Sequence, residues 1–147
     1  MKAFLEQNNL EMLDERALKQ ISPLKLAYVG DTIYESYVRV YIMNKIKGSV
    51  NQFHKLAIQY VKASAQAHIV KGIDAFFTEE ERAIIKRGRN QKSGTVPKNA
   101  SVGDYRLATG FESLIGYLFM SDDLERLECI VAEGIQYLEE HVHGKTK

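Results

Sequence analysis

Residues 26–35, LAYVGDTIYE, place Asp31 inside a run that offers it almost no polar side. On a helix, Leu26, Val29, Ile33, Tyr37 and Val40 share one side at the helical interval. Ala27, Tyr28, Tyr34 and Val38 crowd round Asp31 on the other. A helix apolar nearly all the way round is predicted to be buried among other elements. A carboxylate carried into such a place costs several kcal/mol, on the order of the usual desolvation penalty, unless it is protonated, paired or bound to a cation. Ser22-Pro23 gives this helix a capping hydroxyl and a proline at its first turn, and Gly48 ends it.

The rest of the chain is read as helical too. LDERALKQ near the N-terminus predicts a short surface helix, and no function is read in residues 1–20. Asn51 caps a second long helix that keeps its apolar interval through Phe53, Leu56, Ala57, Tyr60 and Val61 and ends at Gly72. Thr78 with Glu81 forms a capping-box signature for a helix running to Arg87-Gly88. A long loop follows, RGRNQKSGTVPKNASVGD, rich in Gly, Ser, Asn and Lys. Loops of this length inside a compact domain tend to be functional. Ser101 or Asp104 starts the next helix, with Leu107, Phe111, Leu114, Ile115 and Leu118 at the helical interval, and Asp122-Asp123 opens a last amphipathic one. The tail HVHGKTK is expected to fray from about residue 143. No segment alternates apolar and polar residues in the manner of a strand. The expectation is an all-α fold of about six or seven helices in a single domain over residues 1–147, with no repeat.

A chain of 147 residues can bury roughly two thirds of the surface its unfolded form exposes, with no need of disulfides or structural zinc. The lone cysteine, Cys129, lies among Leu127, Ile130 and Val131 and is expected to be a small buried thiol in a reducing compartment. His54 and His68 have no partner at metal-ligand spacing, and His141 and His143, which could take up a stray metal, are expected to do nothing. With no apolar run of membrane-spanning length and no leader pattern, a cytoplasmic protein is expected. The net charge of +1 hides a strong asymmetry. Residues 82–103 hold six basic side chains and no acid, which leaves the remainder with 14 basic against 19 acidic residues. Concentrated positive charge of this kind is the footprint of a polyanion site.

The helix after the basic loop repeats the oddity of the first, because Glu112 stands in FESLIGYLF with hardly a polar neighbour. Gly30 precedes Asp31 and Gly116 lies one turn after Glu112. Glycine costs about 1 kcal/mol relative to alanine inside a helix, so the pair predicts a close helix crossing with Asp31 and Glu112 face to face. Facing acids in an apolar cleft resolve their repulsion with a shared proton or a shared cation. Few carboxylates with water in the other positions is what Mg²⁺ prefers, and joined to a basic loop this points to metal-assisted phosphodiester hydrolysis. Against it stands a purely structural reading, in which each acid pairs with a base such as Lys25 or Arg106.

At these residues the sequence resembles the catalytic domain of ribonuclease III, most closely the short Mini-ribonuclease III branch without a double-stranded RNA-binding domain. LAYVGDTIYE is similar to the family's signature helix, FESLIGYLF to its later glutamate-bearing helix, and KRGRNQKSGTVPKN to the Mini-III loop between them. The resemblance runs from about residue 24 to 138. It implies an all-helical homodimer that cleaves double-stranded RNA with Mg²⁺, leaves 5′-phosphates, and matures the ends of 23S ribosomal RNA, with a ribosomal protein that shapes the substrate as a further candidate partner. It also implies Asp31 and Glu112 as the metal-binding catalytic acids. Lys86, Arg87, Arg89, Asn90, Lys92, Ser93, Lys98 and Asn99 would contact RNA, and Glu35 would act from behind the metal ligands. Full-length members carry further acids where this chain has Ala27 and Thr109, so fewer metal ligands remain. Two other readings stay open: a dimeric RNA-binding module that has lost its metal chemistry, and an all-helical Mg²⁺ nucleotide pyrophosphohydrolase.

Overall fold

The computed structural model describes residues 1–91, 96, 98 and 100–143. Among these there is no strand, and eight α-helices follow in order. They are α1 (Lys2–Gln7), α2 (Glu15–Gln20), α3 (Pro23–Lys45), α4 (Val50–Val61), α5 (Ala63–Gly72), α6 (Glu79–Arg89), α7 (Val102–Met120) and α8 (Leu124–Leu138). A 3₁₀ turn, Asp74–Phe76, precedes α6, and a π turn, Glu139–His143, extends α8. The fold is all-α as expected, with more helices than six or seven for two reasons. Residues 2–7 form a helix of their own, and residues 50–72 break in two.

The break falls at Lys62, whose extended backbone (φ −61°, ψ 155°) interrupts the helix with neither glycine nor proline. Side chains from elsewhere satisfy the carbonyls that it frees. The Tyr34 hydroxyl donates to the Tyr60 carbonyl (2.8 Å) and the Gln66 amide to that of Val61 (2.8 Å). Because these donors come partly from α3, no local signal announced the break. The helix also starts two residues before the expected cap Asn51, since Ser49 caps α4 in a capping box with Gln52.

Helices α3 and α7 form the axis of the molecule and cross in backbone contact. A Cβ on Gly30 would lie 1.8 Å from the Glu112 carbonyl oxygen, and one on Gly116 would lie 1.9 Å from that of Leu26. α6 packs as closely on α7, where a Cβ on Gly110 would meet the Ile85 carbonyl at 2.5 Å. Gly88 is part of the same seam, facing Ser113 and Gly110, so α6 runs past it to Arg89 instead of ending there. Around this axis Leu18, Tyr34, Val38, Ile42, Ile69, Phe111, Leu114, Ile115, Leu127, Ile130 and Leu138 make the core. Leu18 belongs to it at 1 % exposure, so α2 is anchored and does not simply rest on the surface.

Two further expectations are corrected. α3 is not buried all round: its inner stripe is Leu26, Ala27, Gly30, Tyr34, Val38 and Ile42, while Tyr28, Asp31, Val40 and Met43 face outward. Cys129 is exposed, because the inward face of α8 runs through Leu127, Ile130, Val131 and Gly134, and neighbours in sequence point to different sides of a helix. Of the tail, residues 139–143 form the π turn, and residues 144–147 lie outside the described residues. Val142 packs on the core, His141 stacks on Tyr137 (4.4 Å), and His143 meets the edge of Tyr60 (4.9 Å). Lys45 and Tyr41 both bond Glu139, tying the end of α3 to this turn. No described helix is long and apolar enough to cross a membrane.

Candidate active site

Asp31 and Glu112 are brought together by the glycine crossing. Gly30 places the α3 backbone against that of Glu112, and the next residue on α3 is Asp31. The two carboxyl groups face one another closely enough to interact directly and, with a proton between them, to hydrogen-bond. Their surroundings differ. Asp31 is exposed, whereas Glu112 is partly buried between α3, α5 and α7, so the burial expected for the first acid falls on the second. Burial, the Asp31 charge and the bond to Asp31 push the Glu112 carboxyl up to about 8. The Gln66 amide opposes this by donating to Glu112 Oε2 (3.2 Å). Among the described residues neither acid forms an ion pair with Lys25 or Arg106.

The wall behind Glu112 is rigid. Tyr34 and Phe111, the residue before Glu112, meet edge to face (5.2 Å, 88°), and both are 1 % exposed or less. Thr109, at the position where an acid is missing, turns its hydroxyl onto the Tyr105 carbonyl (3.0 Å). Ser113 bonds the Pro23 carbonyl (2.9 Å), which pins the start of α3 to α7. Ala27, at the other missing acid, is buried at 7 % exposure.

The remaining candidates lie in three places. Lys86, Arg87 and Arg89 are exposed on the last turn of α6, where cations are favoured by the helix dipole, and Asn90 caps that helix and bonds Arg89 (3.3 Å). They are therefore helical, not part of a loop. Because α6 packs on α7 through Gly88 against Ser113, this basic turn stands at the level of α7 that carries Glu112. Lys98 is exposed, and Lys92, Ser93 and Asn99 lie outside the described residues. Glu35 pairs with Arg39 (3.3 Å) on the surface of α3. Asp104 sits at the third position of α7 under the Ser101 cap. His54 and His68 are exposed.

Gln66 was not singled out from the sequence. The signal was available: a polar amide three and four residues before Ile69 and Val70, on the inward face of α5. A groove of about 970 Å³ between α1, α2 and the facing ends of α7 and α8 is lined by the Glu81–Arg126 pair and contains neither catalytic candidate.

The donor set fits a small hard cation. No group of three or more His, Cys, Asp or Glu that could hold a metal ion is found among the described residues, so the site offers two carboxylates, of which Asp31 is exposed. Burial first, and then the Asp31 charge, hold Glu112 against its own ionisation, and a shared cation would relieve the conflict between the two acids. Mg²⁺ accepts one or two carboxylates with water elsewhere, and Asp31 and Glu112 are the residues that would hold it.

Helices crossing in backbone contact, with one acid from each beside a basic helix end, are the parts of a ribonuclease III catalytic domain, and the family model "Ribonuclease III domain" matches residues 24–123. The chain belongs to the ribonuclease III family and is an endoribonuclease of it. Within that family it is similar to proteins named Mini-ribonuclease 3. The Clostridium tetani protein is 50 % identical over 131 residues, covering 88 % of this chain and 87 % of that protein. The Thermoanaerobacter protein is 46 % identical over 140 residues, covering 95 % and 97 %. A crystal structure of a Fusobacterium nucleatum protein superimposes with a TM-score of 0.72 at 31 % identity, over 80 % of this chain and 93 % of that one.

Proposed function

We propose that this endoribonuclease cleaves double-stranded RNA with Mg²⁺ held by Asp31 and Glu112, releases 5′-phosphomonoesters, and matures the 5′ and 3′ ends of 23S ribosomal RNA in the cytoplasm. The observation that carries the reading is the facing pair itself, one acid reachable from outside and one pushed up to about 8 by burial and by its neighbour. Members of the family generally depend on a divalent metal. Bound there, the cation would activate water and offset the charge that develops at phosphorus.

The chain's own residues do the rest. Asp31 meets the substrate side of the cleft, while Glu112 is fixed from behind by Gln66 and by the packed α3–α7 crossing. Lys86, Arg87 and Arg89 engage phosphates from the last turn of α6, with Asn90 and Lys98 beside them. Lys92, Ser93 and Asn99 are proposed to extend this contact. Duplex RNA presents its backbone and 2′-hydroxyls across a shallow minor groove, a surface that protruding basic side chains can reach. Glu35, turned toward Arg39, would act on the site only through its turn of α3.

A single chain offers few phosphate contacts, so a homodimer that doubles the basic surface is part of the proposal. The outward Tyr28, Val40 and Met43 of α3, each more than half exposed, are apolar side chains such an interface would cover. A ribosomal protein that shapes the precursor would supply specificity this small surface lacks.

The test is cleavage of an end-labelled duplex made from the paired ends of precursor 23S ribosomal RNA. Discrete cuts that need Mg²⁺, stop with EDTA and disappear in Asp31→Asn are expected. Wild-type cutting by Asp31→Asn overturns the site.

A further inference from the structure

We infer that Gln66 is a positioning residue of the cation site, holding the Glu112 carboxylate in the orientation that lets it share a cation with Asp31. The inference rests on the metal-dependent reading above and goes beyond it, since Gln66 belongs to α5 and to neither acid-bearing helix.

The geometry leaves the amide no freedom. Gln66 is 2 % exposed, and its Nε2 lies 2.8 Å from the Val61 carbonyl and 3.2 Å from Glu112 Oε2. A carbonyl can only accept, so the amide nitrogen must face Val61, and turning the amide over would set oxygen against oxygen. Its two hydrogens are thereby assigned, one to the end of α4 and the other to the carboxylate. Gln66 Oε1 is left buried with no partner, a cost that a leucine or methionine of similar volume would avoid. Packing therefore does not explain an amide here. What the amide supplies is a fixed donor to one oxygen of Glu112, leaving the other oxygen to face Asp31.

Gln66 also satisfies a carbonyl at the α4 break, so the test separates that role from positioning. Tyr34 donates to the neighbouring Tyr60 carbonyl and serves as the control for the cap alone. Mn²⁺ binding to the RNA-free homogeneous protein is measured by electron paramagnetic resonance for wild type, Gln66→Leu and Tyr34→Phe, with Asp31→Asn marking the site. Duplex cleavage under saturating Mg²⁺ is measured beside it. For Gln66→Leu a fall in Mn²⁺ affinity of roughly tenfold or more is expected. Its kcat should fall while KM for RNA holds, and Tyr34→Phe should keep the wild-type Mn²⁺ affinity. If Gln66→Leu fails to fold by circular dichroism, Gln66→Met takes its place in the same measurement. Unchanged Mn²⁺ affinity in the folded variant overturns the inference, as does an equal loss in Tyr34→Phe. Wild type that binds no Mn²⁺ in an Asp31-dependent way and cuts no duplex overturns the metal reading instead, so the two failures are distinguishable.

Discussion

Replacing Gly30 by alanine should break the molecule at its axis, and the structure gives the size of the break. The added Cβ would lie 1.8 Å from the Glu112 carbonyl oxygen and 2.7 Å from the Gly116 nitrogen. Carbon and oxygen in close contact rest about 3.3 Å apart, so α3 and α7 would have to separate by roughly 1.5 Å. The obstructing atoms are backbone on a packed helix, and no side chain can swing aside to make room. A radial gap of even 0.5–1 Å forfeits roughly a quarter to a half of each dispersion contact, and this is the seam on which Leu26, Tyr34 and Phe111 pack. Overpacking costs about 1–3 kcal/mol where the core can adjust, and this site stands at or beyond that upper end. Alanine returns about 1 kcal/mol of helix propensity. The net expectation is a loss of at least about 2 kcal/mol, a fall in Tm of roughly 5–10 °C, with weakened Mn²⁺ binding because Asp31 and Glu112 part with the helices. Gly103→Ala is the matched control, since nothing lies within 4 Å of its Cβ, and it should be neutral or stabilising by up to about 1 kcal/mol. Calorimetry and urea titration of both variants measure the effect. A Gly30→Ala protein within 0.5 kcal/mol of wild type, roughly the scatter of neutral surface changes, would refute the close crossing.

The other expectations concern charge. Because the folded pKa of Glu112, about 8, lies above its ordinary 4.5, the metal-free protein binds an extra proton between those values. Its contribution to stability is full below about pH 4.5 and is lost as pH rises through about 8. Glu112→Gln should abolish cleavage yet leave the metal-free protein more stable than wild type at pH 8, by at most about 5 kcal/mol before relaxation and solvent lower the figure. Parallel stability profiles against pH for the two proteins would contradict this. Replacing Arg87 and Arg89 with alanine should weaken duplex binding and flatten its dependence on log salt by roughly one unit per arginine, measured by filter binding; an unchanged slope would remove the α6 turn from the RNA. Arg126→Met should cost about 3–5 kcal/mol in urea unfolding, because it strands the Glu81 side chain, 8 % exposed and bonded by Arg126 through two 2.8 Å contacts. The double change with Glu81→Met should recover much of that loss.

Local signals sufficed to place α3, α6, α7 and α8, because each carries its cap within its own stretch: Ser22, Thr78, Ser101 and Asp123 all accept from the first turn they precede, although the inward face of α3 was decided by its neighbours. The same local reading reached Asp31 and Glu112, since an acid among apolar residues is a conflict visible without coordinates. It failed where the deciding partner was remote. The break at Lys62 is held by Tyr34 and Gln66, and the exposure of Cys129 follows from which side of α8 meets α5 and α7.

The sequence by itself determined an all-helical chain, two acids in need of a partner, and a basic segment between their helices. Each of these is a property of spacing and residue type within a single stretch. Tertiary structure alone decided that Glu112 bears the burial while Asp31 faces outward, that the basic residues stand on a helix end beside α7, and that Gln66 reaches the site from α5. The reason is that burial and hydrogen-bond partnership are relations between elements, and a helix does not encode which of its neighbours will come to 3 Å.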